Sequence, residues 1–185
     1  MSADHAALIV LLRERSVRFG DFVLASGAHS SYYIDCRLTT MSAHGQILIG
    51  RLGLAAVRAA GWRPRSVGGL TMGADPVSYA IAAASANDAV PIDAFSVRKE
   101  AKLHGTGRLI EGNFASGDAV VVIEDVITSG GSALTAVAAV RAAGATVLGV
   151  LAVVDRDAGG RAKIEAEGLP VIALVSAEEL GLRGG

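Results

Sequence analysis

Val120-Val121-Val122-Ile123-Glu124-Asp125-Val126-Ile127-Thr128-Ser129-Gly130-Gly131-Ser132-Ala133 is the stretch from which the fold can be read. It begins as a continuous apolar run, as a strand buried on both faces of a parallel sheet requires. Two adjacent carboxylates, Glu124 and Asp125, follow at the strand's carboxyl end. A turn of small residues then runs from Thr128 to Ser132, and an alanine-rich helix from Ala133 to Ala143. Such a unit is an anion cradle, because backbone N–H groups at the helix start point outward and the helix dipole favours negative charge there. Small side chains let the backbone approach a phosphate closely. The acidic pair would repel that phosphate unless it served something else, such as ribose hydroxyls or a metal. Phosphate on the turn and hydroxyls on the carboxylates together describe a ribose 5-phosphate. The bland alternative is an ordinary strand-turn-helix unit with a polar turn, but two carboxylates ending a buried strand are costly without a partner. No Gly-Lys-Ser/Thr follows the turn, so it is not a Walker A loop, and the dinucleotide pattern G-x-G-x-x-G is absent.

The remaining composition agrees with one α/β domain. A chain of 185 residues, half of them apolar and few of them aromatic, supplies the Ala, Val, Leu, Ile and Gly that helices packed on a parallel sheet need. The formal net charge of −1 offers no electrostatic footprint for nucleic acid. Cys36 stands alone, which rules out an intrachain disulfide or a cysteine metal cluster. The apolar run Ala6 to Leu12 is too short to cross a bilayer and lacks a basic leader, so a cytoplasmic protein without a membrane partner is expected.

In chain order, Ala3 to Arg15 has helical spacing. Val17 to Leu24 reads as two extended pieces around a Gly-Asp turn, and Ala25 to Ser31 as a loop. Tyr32 to Asp35 reads as a strand followed by Arg37. The two tyrosines face opposite ways on it, so one can be core while the other stacks on a flat ligand, or both can be packing residues. Ser42 caps a predicted helix to Ala60, with Gly61 at its end. Val67 to Leu70 is a predicted strand. After the turn Thr71 to Ala74, Asp75-Pro76 is the expected start of a helix to about Ala86, with Asp75 as cap. That turn could hold a second phosphate group or be merely tight.

Strand Ile92 to Val97 empties into the loop Arg98-Lys99-Glu100-Ala101-Lys102-Leu103-His104-Gly105-Thr106-Gly107-Arg108. Lys99, Lys102 and Lys163 are the only lysines, and two of the three lie in this loop beside Arg98 and His104. A charge run is usually a solvated face. Lysine clustering in a chain that otherwise uses arginine favours a mobile cationic lid for a highly charged anion such as pyrophosphate. Strand Thr146 to Val154 ends in Asp155-Arg156-Asp157, where open α/β sheets bind ligands. Arg156 either pairs with its aspartate neighbours or offers its fork of donors to a planar carboxylate or imide. A short helix over Gly159 to Gly168, a strand Val171 to Val175 and a last helix opened by the capping box Ser176-Ala177-Glu178-Glu179 complete the reading.

The central motif resembles that of type I phosphoribosyltransferases, which bind 5-phosphoribosyl 1-diphosphate (PRPP), and the whole chain resembles the bacterial orotate phosphoribosyltransferase family. Phe22-Val23-Leu24-Ala25-Ser26-Gly27 with Ser31-Tyr32-Tyr33-Ile34-Asp35 is similar to that family's Ser-Gly and Tyr-Tyr segment. Arg98 to Gly105 resembles its catalytic loop, Glu124 to Ser132 its PRPP motif, and Asp155-Arg156 its orotate-contacting arginine. The resemblance implies an α/β type I phosphoribosyltransferase core, a parallel sheet flanked by helices, forming a single domain over 1–185 with residues 1 to about 40 as a small N-terminal hood. It implies transfer of the phosphoribosyl group to orotate, giving orotidine 5′-monophosphate and pyrophosphate, with Mg²⁺ bound mainly through PRPP rather than by the protein. It implies PRPP contacts from Arg98, Lys99, Lys102, His104, Glu124, Asp125, Val126, Ile127, Thr128, Ser129, Gly130, Gly131 and Ser132. Orotate contacts would come from Thr128 and Arg156, and catalytic work from Lys99, Lys102, His104 and Asp125. A homodimer is implied, with loop 98–108 reaching the neighbouring site.

Two departures stand out. Many members carry a PRPP-contacting lysine where this chain has Ala25, and a Tyr-Lys-Gly turn where this chain has Met72-Gly73-Ala74-Asp75-Pro76. Two rival readings differ in class. An adenine-specific enzyme would have Lys-Leu-Pro in place of Lys102-Leu103-His104 and no use for Arg156, because adenine has no carboxylate. A PRPP-sensing regulator would need no cationic lid and would add a nucleic-acid surface.

Overall fold

In the computed structural model, which describes residues 2–23, 29–100 and 109–182, a helical and hairpin segment precedes a strand–helix alternation. Helix α1 (Ala3–Arg15), hairpin strands β1 (Val17–Val23) and β2 (His29–Ile34) and the short helix α2 (Arg37–Thr40) come first, then α3 (Ala43–Ala59). They are followed by β3 (Ser66–Leu70), α4 (Ala74–Ala84), β4 (Asp93–Val97), β5 (Ile110–Gly112), β6 (Ala119–Ile127), α5 (Gly131–Ala142), β7 (Thr146–Asp155), α6 (Gly160–Glu165) and β8 (Val171–Ser176). β1 and β2 pair only with each other. The main sheet has the order β5-β4-β3-β6-β7-β8. All its pairings are parallel except that of β4 with the short edge strand β5. Chain order therefore reverses between β3 and β6. In doubly wound sheets the crevice outside the carboxyl ends at such a switch point is the natural ligand site.

Strand β6 is central because both of its faces are covered. Successive side chains on a strand alternate between faces. Val121 and Ile123 join the core beneath α1, α3 and α4, while Val120 and Val122 join a second core beneath α5 and α6. The unbroken Val-Val-Val-Ile run is thus required on both sides, as the sequence reading expected. Close approach decides several glycines. A Cβ at Gly50 would meet the Ala80 carbonyl carbon at 3.0 Å, so α3 and α4 approach backbone to backbone there. A Cβ at Gly69 would collide with the Ile123 carbonyl oxygen on the neighbouring strand.

Several boundaries differ from the sequence reading, each for a local reason. β1 is one strand with a register irregularity between Phe19 and Phe22, rather than two pieces around a turn. β2 begins at His29, so Ser30 and Ser31 lie on the strand and not in a loop. β6 runs on to Ile127 because Val126 and Ile127 pair with Val154 and Asp155, which places the acidic pair inside the strand. α5 starts at Gly131, two residues early, because Gly130 takes up a left-handed conformation (φ 78°) and turns the chain directly into the helix. α4 starts at Ala74, with Gly73 as cap, so Asp75 is not the cap and Pro76 sits third. Proline costs nothing there, since the first N–H groups of a helix lack internal partners.

Neither α2 nor β5, four and three residues long, was anticipated; such pieces are too short to show a period. The C-terminal capping box does form. The Ser176 backbone N–H donates to Glu179 Oε2 at 2.8 Å and the Glu179 backbone N–H to Ser176 Oγ at 3.3 Å. It caps a single turn, not a helix. Gly181 (φ 74°) closes the turn at once, and the Leu182 N–H returns to the Ala177 carbonyl at 2.9 Å.

Gly69→Ala is expected to destabilise the fold by about 2 kcal/mol or more, because the obstruction is backbone and not a yielding side chain. Urea unfolding checks this, and an unchanged midpoint with unchanged slope would contradict the close β3–β6 packing.

Candidate active site

A cleft of about 750 Å³ opens at the β3/β6 switch point. Its walls come from the end of β2 and the start of α2 (Tyr33 to Arg37), from the β3–α4 turn (Leu70 to Gly73), from Lys99 after β4, from Glu124, Asp125 and Val126 on β6, from Thr128, Ser129 and Ser132, and from Arg156 after β7. Six segments of the chain thus converge on a volume fit for a ligand of nucleotide size.

The acidic pair sits at the back. Neighbours on a strand point to opposite sides, so Glu124 turns toward the α5 side and Asp125 toward the α4 side. Asp125 reaches the β3–α4 turn, where a Cβ on Gly73 would lie 2.7 Å from its carboxylate. Its Oδ1 accepts the Val126 backbone N–H at 2.8 Å. Glu124 is buried, 7 % exposed. Burial, and next the charge of Asp125, push its carboxyl up from the ordinary 4.5 to about 8. Among the described residues no cation forms an ion pair with either carboxylate.

Beside them lies the small-residue turn. Its backbone is pinned against α6: a Cβ on Gly130 would stand 2.8 Å from the Gly160 carbonyl oxygen, and one on Gly160 would stand 2.7 Å from the Gly130 nitrogen. The N–H groups of Gly131, Ser132 and Ala133 open α5 and have no partner further back in the helix. The result is a rigid donor cluster at the positive end of a helix dipole.

Arg156 forms the far wall. Its backbone N–H donates to the Ile127 carbonyl at 3.0 Å, which sets it next to Thr128. It is buried, 9 % exposed, and the alternative in which it pairs with its aspartate neighbours is not the one found. Asp155 is taken instead by Arg161, whose Nε donates to Asp155 Oδ2 at 2.8 Å. The Arg156 guanidinium lies over the Tyr32 ring, 4.7 Å from its centroid, and its Nε has no hydrogen-bond partner. A buried arginine that lines a cleft and forms no ion pair among the described residues is set to receive a planar anion.

No family model matches the chain. Sequence comparison finds orotate phosphoribosyltransferases: that of Rhodopirellula baltica is 44% identical over 183 residues, covering 97% of this chain and 95% of the relative. That of Aquifex aeolicus is 47% identical over 180 residues, covering 96% and 97%. Among solved structures, Mycobacterium tuberculosis orotate phosphoribosyltransferase in complex with PRPP is similar, with TM-score 0.79, 41% identity and coverage of 98% of this chain and 93% of the other.

The chain belongs to the orotate phosphoribosyltransferase family.

With this family assigned, the residues singled out in the sequence fall into five groups. Lys99, Glu124, Asp125, Val126, Thr128, Ser129, Ser132 and Arg156 line the cleft of the orotate phosphoribosyltransferase fold. Gly130 and Gly131 shape its floor through backbone conformation. Ile127 is 1 % exposed and packs in the α5-side core, so its side chain does not face the cleft. Arg98 is turned away to Glu111, with Nε and Oε1 3.2 Å apart. Lys102, His104 and the rest of 101–108 lie outside the described residues, as do Leu24 to Ala28, including Ala25, Ser26 and Gly27.

The sequence reading missed three contributors. Arg37 lines the cleft, held by Asp35 through Nε at 2.8 Å and Nη2 at 3.0 Å. That pair holds the Asp35 carboxyl below the usual range. Asp75 is a hub and not a cap. It accepts Thr71 Oγ1 at 2.6 Å and Ser96 Oγ at 2.7 Å, and so fixes the turn that stands where many family members carry Tyr-Lys-Gly. Ser30 touches Arg156. The Asp35-x-Arg37 spacing was visible as a signal, whereas the Asp75 and Ser30 contacts join segments far apart in the chain.

Glu124 titrates near 4.5 when unfolded and at about 8 when folded. Between these values the folded state binds the extra proton, so stability of the ligand-free protein falls as pH rises through that window. Glu124→Gln is expected to flatten the fall. Thermal melts across that pH range test it, and an unaltered slope would show that Glu124 is not the group responsible.

Proposed function

We propose that the chain transfers the 5-phosphoribosyl group of PRPP to orotate, yielding orotidine 5′-monophosphate and pyrophosphate, a step of pyrimidine biosynthesis. The observation that carries this reading is the pairing, in one cleft, of an anion cradle and acidic pair with a buried, carboxylate-free arginine. The 5-phosphate is held by the donors of Thr128 to Ser132 at the start of α5. Asp125 and Glu124 take the ribose hydroxyls. Hydroxyl donors and developing positive charge on the sugar favour their ionised forms, which offsets the burial that keeps Glu124 protonated without ligand.

Orotate lies against Thr128 and Arg156, whose guanidinium matches its carboxylate. Its ring nitrogen attacks the anomeric carbon while the bond to pyrophosphate breaks. With little covalent chemistry to perform, the protein contributes position and electrostatics. Lys99 from the cleft wall, with Lys102 and His104 from the adjoining loop, stabilises the departing pyrophosphate. Either Lys102 or His104 donates a proton to it.

Mg²⁺ belongs to the same proposal. The described residues offer two adjacent carboxylates and no cluster of three ligands, a donor set that suits an ion held chiefly by substrate oxygens and water. Asp125 and Glu124 would face it, and its chemistry would be to offset pyrophosphate charge. We further infer a cytoplasmic homodimer with residues 1 to about 40 as hood and loop 98–108 shared between sites. Exposed Leu38, Met41 and Met72, gathered in one shallow hollow beside the cleft, support an apolar contact there. No described helix is long and apolar enough to cross a membrane.

Orotate consumption followed by absorbance with PRPP and Mg²⁺ tests the activity directly, and no turnover with the intact chain would reject it. Lys102→Ala should lower kcat about 100-fold or more while orotate binding stays measurable; wild-type rates would remove Lys102 from the reaction. Asp125→Asn should weaken PRPP binding in calorimetry, and equal affinity would reject the ribose role.

A further inference from the structure

The group that holds the cleft's buried arginine is neutral, so the guanidinium's charge is left uncompensated. Ser30 is 3 % exposed on β2, and its hydroxyl has a single proton. That proton is committed to the Tyr32 carbonyl, 2.8 Å away. The oxygen's lone pairs are therefore left to accept, and Arg156 Nη2 stands 3.3 Å from them. The Tyr32 backbone N–H also points to the same oxygen at 3.4 Å. On its other side the guanidinium rests on the Tyr32 ring.

Ring and hydroxyl both stabilise a cation without cancelling its charge. The carboxylate next to it in sequence is withheld. Asp155 accepts Arg161 Nε and, through Oδ1, the Asp157 backbone N–H at 3.0 Å. A carboxylate in Ser30's place would form a buried ion pair with Arg156, and an anionic ligand would then have to break it.

We propose that Ser30 is a positioning residue that aims Arg156 into the cleft while leaving its charge uncompensated, and thereby sets the preference for a base bearing a carboxylate. This rests on the reading of Arg156 as the orotate contact.

The test is steady-state kinetics with each substrate varied in turn. Ser30→Ala should raise the KM for orotate about tenfold or more, the effect expected for losing one hydrogen bond to a charged group. The KM for PRPP and kcat should stay within about twofold. Ser30→Thr, which keeps the hydroxyl, should restore most of the orotate KM. Ser30→Asp should raise it further than Ser30→Ala, because its carboxylate occupies Arg156. If Ser30→Ala does not fold, Ser30→Cys, close in volume and a poor acceptor, carries the same expectation.

An unchanged orotate KM overturns the inference, and so does a rise in the PRPP KM in step with it, which marks a general structural role. A wild-type protein that binds PRPP but consumes no orotate instead sinks the reading beneath it.

Discussion

Two carboxylates at the end of a buried strand, with no cation of the described residues to neutralise them, are the constraint around which the cleft is built. A protein with nothing else to do at that point would place a valine there, as it does at Val120 to Val122. The cost is visible in Glu124, whose carboxyl is pushed up to about 8 by burial and by Asp125. The location is also the one place where the strand order reverses, so helices on either side part and the pair can face a cavity. A sugar presenting hydroxyl donors and, during reaction, positive character answers both conditions.

Among the described residues the cleft's cations form no ion pair with that acidic pair. Arg37 is occupied by Asp35. Lys99, just past the end of β4, lines the cleft and forms no ion pair with the acidic pair among the described residues. Arg156 is held on a ring and a hydroxyl, while the adjacent Asp155 is taken by Arg161. Charges of both signs thus share one cavity without collapsing onto one another. Separated charges of this kind can address a ligand that is itself divided into phosphate, hydroxylated sugar, diphosphate and acidic base.

Rigidity of the phosphate turn comes from backbone contact. Gly130 and Gly160 lie too close for any side chain at either position, and the left-handed turn at Gly130 delivers the chain straight into α5. The opposite wall is tied down by side chains. Asp75 binds Thr71 and Ser96, and the Tyr79 hydroxyl lies 3.2 Å from Ser96 Oγ. The family's lysine-bearing turn is replaced here by one whose shape depends on a carboxylate hub.

The alternation of strands and helices, the buried central strand and the acidic pair followed by small residues were all determined by the sequence alone. Each is a local pattern of period, volume or charge within about a dozen residues. The same holds for the cap at Ser42, which accepts the Gly45 N–H as the pattern implied. Tertiary structure decided what depends on contacts between distant segments. Examples are the extension of β6 to Ile127 by pairing with β7, the outward turn of Arg98 to Glu111, and the choice of Tyr32 over Tyr33 as the buried ring. The grip of Ser30 on Arg156 spans 126 positions of chain. No window of residues can contain such a contact, because the partners become neighbours only after the sheet has formed and β2 has been laid against the end of β7.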